Sequence, residues 1–199
     1  MCVLIEGVDL SGKSSVVKLL SSGSRKWQTR HSSLLDRANP LYEIARSISN
    51  KGMGGTDGRK CTGYLYSSVL AYDLEMFVHP TVDTVQDSTI LLRSLAFHDA
   101  AGDHAVVKTL EQYACRHTRF DSVFVLTASL DERKRRLRKR INNSEGRVTV
   151  NDQLLYTNPE FFARMEECLI KHAYAVFDNV VTIDTSNKDI ECVMNEMNL

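Results

Sequence analysis

The octapeptide Gly7-Val8-Asp9-Leu10-Ser11-Gly12-Lys13-Ser14 constrains this chain more than any other stretch. It follows the apolar run Cys2-Val3-Leu4-Ile5, which reads as a strand buried on both faces. It precedes Val16, Val17, Leu19 and Leu20, which recur at helical spacing until Ser21-Ser22-Gly23 signals a helix end. A strand, a glycine loop and a helix in that order make a cradle for phosphate. The glycines let backbone N–H groups turn inward, and the helix presents its positive end to the same anion. Lys13 can reach the β and γ phosphates of ATP as a point charge, and the Ser14 hydroxyl can ligate a bridging Mg²⁺. Gly7, Leu10, Ser11, Gly12, Lys13, Ser14 and Ser15 are therefore the expected donor-binding residues. A bare tight turn would leave the Lys-Ser pair without a reason.

The rest of the chain alternates between two periods. Segments 26–30, 81–85, 122–126 and 180–183 read as further strands, and 40–48, 64–78, 105–115, 131–141 and 190–197 as helices. Residues 51–63 read as a glycine-rich loop, and Phe162, Met165, Leu169, Ala173 and Val176 line one face of a long helix. This pattern predicts an α/β fold, a doubly wound five-stranded parallel sheet with right-handed crossovers, which gathers ligands at the carboxyl ends of its strands. A length of 199 residues with 43% hydrophobic content suits one domain over 1–199. Lys plus Arg and Asp plus Glu each number 25, so no global field would hold nucleic acid or an anionic membrane. Five scattered cysteines form no CxxC pair, which suits a reducing compartment. No apolar run reaches the roughly 20 residues of a membrane span, and Glu6 interrupts the apolar start too early for a signal peptide. The expectation is a cytoplasmic protein.

Other residues extend the site. Asp9 places a carboxylate beside bound phosphates, so it is expected to accept from, or deprotonate, an acceptor hydroxyl, or else to structure the loop through an Asx turn. Asp87, after an apolar strand, suits either a carboxylate supporting Mg²⁺ or a helix N-cap. Arg133, Lys134, Arg135, Arg136, Arg138, Lys139, Arg140 and Arg147 concentrate more positive charge than a helix face is expected to bury. Arginines on a closing flap stabilise the equatorial oxygens of a transferring phosphoryl group, so 140–152 reads as an arginine-rich lid with Arg140 and Arg147 as candidates, the alternatives being a solvated helix face or an RNA-binding stripe. Arg93, in an apolar stretch, needs an anionic partner, either an acceptor phosphate or a structural carboxylate. His98-Asp99 and Asp103-His104 read as a turn rather than a metal site, and Tyr64, Tyr66, Tyr72 and Phe77 as core aromatics.

At this level of detail the chain resembles the thymidylate kinase family of P-loop kinases and their deoxynucleoside kinase relatives. The segment from Glu6 to Ser15 is similar to that family's phosphate loop, whose internal acidic residue contacts the acceptor sugar, which implies an acceptor-side role for Asp9. The runs 39–46, 94–98 and 159–164 also look like family segments. Two departures stand out. The family ends its third strand with Asp-Arg and an aromatic, whereas here Asp87 is followed by Ser88, Thr89 and Ile90, and the nearest arginine is Arg93. The family's base-reading Asp-Arg pair is represented only by Asp73. The resemblance implies Mg²⁺-dependent phosphoryl transfer from ATP to a nucleoside monophosphate first, or to a nucleoside, and carries the expectation of a homodimer. A kinase of a non-nucleotide metabolite and a nucleotide-binding regulatory module are the alternatives; a switch protein is disfavoured because no Asn-Lys-x-Asp element is present.

Overall fold

The structure is a computed structural model that describes residues 1–23, 25–51, 55–143 and 150–199. In chain order the elements are β1 (Cys2–Glu6), α1 (Lys13–Ser22), β2 (Gln28–His31), α2 (Pro40–Lys51), α3 (Gly55–Met76), β3 (Thr84–Asp87), α4 (Ile90–Ala100) and α5 (His104–Glu111). They continue as β4 (Ser122–Thr127), α6 (Leu130–Asn142), α7 (Val150–Thr157), α8 (Pro159–Val176), β5 (Val180–Asp184) and α9 (Ile190–Met197). The strands form one sheet in the order β2-β3-β1-β4-β5, and every pairing is parallel. This is the doubly wound five-stranded α/β sheet that the alternation of periods predicts.

Strand alternation divides the core. Leu4, Val123 and Val125 face the side packed by α2, α3, α4, α5 and α8, where Leu70, Leu95, Leu110 and Phe162 are buried. Val3, Ile5, Phe124 and Leu126 face the other side, against Val16 and Leu20 of α1 and Val193 and Met197 of α9. The predicted apolar stripe of α8 is buried at all five positions. β1, in the middle of the sheet, has both faces covered, so its carboxyl end delivers the following loop to the centre of the molecule.

The structure differs from the sequence reading at several elements. The expected loop over 51–63 is helical from Gly55 onward, with 52–54 outside the described residues. A Cβ on Gly63 would stand 2.5 Å from Val106 Cγ1 and 2.6 Å from His98 Nε2, so this glycine serves close helix packing rather than a turn. Helix α4 lacks an apolar stripe because it packs on α3, α5 and α8, burying Ile90, Leu91, Leu92, Leu95 and Ala96. Strand β3 begins later than expected and includes Asp87 as its last residue. The His98 region is a turn with paired side chains: Asp103 accepts from Arg59 Nε at 2.6 Å and pairs with His98 Nδ1 at 3.0 Å, while Asp99 pairs with Lys171 and His172. Among the described residues no group of three His, Cys, Asp or Glu side chains could hold a metal, and no helix is long and apolar enough to cross a membrane.

Candidate active site at the phosphate loop

The loop from Gly7 to Gly12 connects β1 to α1 through three positive φ values: 146° at Gly7, 66° at Leu10 and 103° at Gly12. A Cβ at Gly7 would lie 2.3 Å from the Leu126 carbonyl oxygen, so only glycine lets the loop pass this close to β4. Gly12 caps α1 without a side-chain hydrogen bond, which leaves the helix's first amides to an anion. The buried Lys13 turns its ammonium into the loop, donating to Gly7 O at 2.5 Å and Val8 O at 3.2 Å. Burial pushes its pKa down, as does Arg93, while Asp9, Glu6 and Asp87 oppose the shift. Ser14 and Ser15 are exposed in the first turn of α1.

At the carboxyl ends of β1 and β3 the structure brings the predicted acceptor-side residues together. Arg93 Nη2, one turn into α4, lies 3.6 Å from Asp9 Oδ1. The Arg93 side chain is 43% exposed, and the charges of Asp9, Glu6 and Asp87 raise its pKa. Asp87 is not a helix cap, because Thr89 performs that task by accepting from Leu92 N–H at 3.2 Å. The Asp87 carboxylate instead lies 3.1 Å from His31 Nδ1, across the β2–β3 register that pairs the two residues. Ser88 follows with φ 66° and its hydroxyl 3.4 Å from Asp87 Oδ1. As ligands for Mg²⁺, Ser14 and Asp87 offer hard oxygens, and Mg²⁺ takes only one or two from protein when phosphates supply others, so the residues present fit that ion.

Glu6 is a residue that the sequence reading passed over. It is fully buried, and its Oε1 accepts from Thr89 N–H at 2.5 Å and from the Thr89 hydroxyl at 3.1 Å. Its Oε2 has no hydrogen-bond partner among the described residues. Burial raises its pKa, opposed by Arg93, Thr89 and Lys13. The signal was available: a carboxylate ending an otherwise apolar central strand has no solvent to enter.

The arginine-rich helix α6 departs from expectation. Its charge is partly buried, with Arg133 2% exposed, paired with Glu166 and stacked 5.2 Å over Phe162. Burial lowers the Arg133 pKa to about 10. Glu132 holds Arg135 and Arg136 by hydrogen bonds of 2.7–2.8 Å. Arg136 reaches the loop: Nη1 donates to Leu10 O at 3.0 Å, and Nη2 donates to Thr185 O at 2.7 Å. Thr185 Oγ1 in turn lies 2.8 Å from Ser11 O. Two loop carbonyls are thereby held away from the anion side. Arg140 lies in the last turn of α6, and Arg147 falls outside the described residues. The end of β2 is tied down by Asp73, which accepts from the Ser33 hydroxyl at 2.6 Å, Leu34 N–H at 2.8 Å and Asn39 Nδ2 at 2.7 Å.

A central-strand glycine loop with a buried lysine, on a parallel sheet in this order, defines the nucleotide-binding architecture of P-loop kinases. Within it, the chain belongs to the thymidylate kinase family, whose sequence model matches residues 5–197. The fold is similar to that of a thymidylate kinase from Candida albicans, with TM-score 0.67 and 16% identity over 98% of this chain and 88% of that one. It is also similar to a deoxyadenosine kinase from M. mycoides solved with bound dCTP, with TM-score 0.62 and 18% identity over 100% of this chain and 99% of the other. The same kinase with bound dATP gives TM-score 0.61 and 18% identity, each chain covered fully. No curated protein sequence matches the chain significantly.

Proposed function

We propose that this chain transfers the γ-phosphoryl group of ATP to a nucleotide or nucleoside, with residues 1–199 acting as one kinase domain. The observation that carries this reading is the β1–α1 junction, where an uncapped helix start and the Lys13 ammonium converge inside a loop that only glycine permits at Gly7. Gly7, Leu10, Ser11, Gly12, Lys13, Ser14 and Ser15 would hold the triphosphate. Ser14 and Asp87 would hold Mg²⁺, which neutralises phosphate charge when bound. Asp9 and Arg93 would face the acceptor, and Arg140 and Arg147, in the lid over 140–152, would meet the transferring group. Membership of a family named for a nucleotide kinase supports this donor chemistry. The fold is shared with enzymes named for a nucleotide and for a nucleoside, so fold alone leaves both acceptor classes open.

The test is ADP formation from Mg-ATP by the purified chain with a panel of acceptors, alongside Lys13→Ala. One acceptor should stimulate ADP formation strongly, and Lys13→Ala should lower that rate by at least about a hundredfold while the far-ultraviolet circular dichroism is retained. Near-normal turnover by Lys13→Ala defeats the reading. ATP binding without stimulation by any nucleotide or nucleoside points instead to a kinase of a non-nucleotide metabolite or to a nucleotide-binding module.

A further inference from the structure

Asp87 and His31 form a pair that stability alone does not explain. The strand register aligns Ile5, Asp87 and His31 in one row across β1, β3 and β2. Side chains alternate along a strand and paired residues share a face, so Asp87 and His31 project on the same side as Val85. Val85 packs on that side with Val16, Val17 and Leu20 of α1. Helix α1 starts at the phosphate loop and carries Ser14 in its first turn. The Asp87 charge acts on both Lys13 and Arg93, which places the carboxylate in the electrostatic surroundings of the loop.

His31 Nδ1 lies 3.1 Å from Asp87 Oδ2, and because a carboxylate only accepts, the imidazole is the donor. The other oxygen, Oδ1, meets the Ser88 hydroxyl at 3.4 Å, beyond the usual range for O–H···O. The imidazole is 59% exposed, and so open a pair adds little to stability. Its placement is nonetheless built in. The His31 N–H donates to Asp36 Oδ1 at 3.2 Å, Ser32 N–H donates to the Asp87 carbonyl at 3.0 Å, and the Ser32 carbonyl accepts from Ile90 N–H at 3.2 Å. Asp73 then anchors Ser33 and Leu34, so the end of β2 is held on both sides of the imidazole. Lysine or arginine here would set a permanent charge on Asp87 and compete with a divalent cation for it, whereas imidazole can donate one hydrogen bond from a neutral ring.

Carboxylates that hold a metal are themselves hydrogen-bonded, and those outer partners set the orientation of the ligand. We infer that, within the phosphotransferase reading above, in which Asp87 holds Mg²⁺, His31 is the positioning residue of that site: its Nδ1–H fixes the Asp87 carboxylate through Oδ2 and leaves Oδ1 to the ion. His31 acts through Asp87 and not on the reacting atoms. Without the imidazole the carboxylate is free to turn, and part of the energy of metal binding goes into ordering it.

The experiment titrates Mn²⁺ into the full chain with ADP and reads free Mn²⁺ from its paramagnetic resonance signal. His31→Ala should weaken Mn²⁺ binding to the ADP complex by about 10- to 100-fold, with metal-free ADP affinity within about twofold and the denaturant midpoint unchanged. His31→Asn, whose side-chain amide can donate to Asp87 in place of Nδ1, should recover most of the loss. In turnover, His31→Ala should raise the Mg²⁺ concentration for half-maximal rate by the same factor, with kcat at saturating Mg²⁺ within about threefold. Should the alanine variant not fold, His31→Phe keeps a ring, removes the donor and carries the same expectation. Asp87→Asn separates this inference from the reading beneath it. If Asp87→Asn weakens Mn²⁺ binding and His31→Ala does not, the inference is overturned and Asp87 keeps its place at the metal. If neither variant changes Mn²⁺ affinity, Asp87 is not at the metal and both fall together. A fall in kcat at unchanged Mn²⁺ affinity in His31→Ala overturns the inference as well, because it puts His31 at the substrate instead.

Discussion

Lys13 and Asp9 sit in one loop, but their surroundings separate their duties. Lys13 is directed into the loop's concavity, whereas Asp9 faces Arg93 in the first turn of α4. Asp9→Asn is therefore expected to lower turnover of the acceptor by at least about tenfold while ATP affinity stays within about twofold. Steady-state kinetics paired with titration calorimetry checks this, and equal loss of both would remove Asp9 from the acceptor side. Arg136 touches the same loop by a different route, since its guanidinium spans the Leu10 carbonyl and Thr185, and in the proposed reading it would hold the donor site in shape. Lysine keeps the charge but cannot span both acceptors. One lost charged hydrogen bond is worth about 1.5–3 kcal/mol, so Arg136→Lys should raise KM for ATP by roughly tenfold or more, with kcat less affected. A variant with unchanged KM would show that the loop keeps its shape without this clamp. Lys13 was legible because a glycine loop announces it. Arg136 was hidden among seven other basic residues, and its partner Thr185 carries no local signal at all.

Helices divide into those a period reveals and those it conceals. The stripe of α8 and the strand-loop-helix entry at β1 and α1 could be read directly, because each buries one defined face. Helix α4 could not, since it is covered from several sides and its apolar residues have no preferred period. The first turns of α3 were mistaken for a loop because Gly58 and Gly63 suggested turns, whereas both are buried within the helix. For Gly63 the reason is the approach of α4 and α5, which leaves no room for a methyl group. Gly63→Ala should thus destabilise the fold by about 1–3 kcal/mol despite the better helix propensity of alanine. A lower denaturant midpoint at unchanged m-value would confirm it; a higher midpoint would mean that His98 and Val106 can yield. Helix α6 teaches the converse lesson about charge. A basic run looks solvated by composition, yet Glu132 and Glu166 draw Arg133 and Arg136 inward.

At the scale of the whole molecule, the strand order and the division into two core layers could not be read from one chain, because pairing in a parallel sheet is decided by contacts distant in sequence. The same distance effect appears in acid stability. His117 is buried against Phe120 and Phe177 with its Nδ1 at 3.1 Å from Thr118 O and its Nε2 without a partner among the described residues. Burial pushes its pKa down from 6.5 to about 4, so the folded state prefers neutral imidazole. The unfolded chain then binds the extra proton between those two values, and stability must fall as pH drops through that window, by about 3 kcal/mol in total. Asp103, held near 2 by Arg59 first and also by His98, loses its contribution as pH falls from the ordinary 3.8 through about 2, below the His117 window. Glu6 and Asp73 run the other way: burial raises their pKa values, so protonating them on acidification relieves a cost. The His117 contribution should therefore appear first, on a slope that the two buried carboxyls partly offset. His117→Phe keeps the aromatic packing and removes the titration, so its unfolding free energy should vary less than that of the parent between pH 6.5 and 4. Urea titrations at closely spaced pH values decide the matter, and parallel curves for the two proteins would assign the acid sensitivity to other groups.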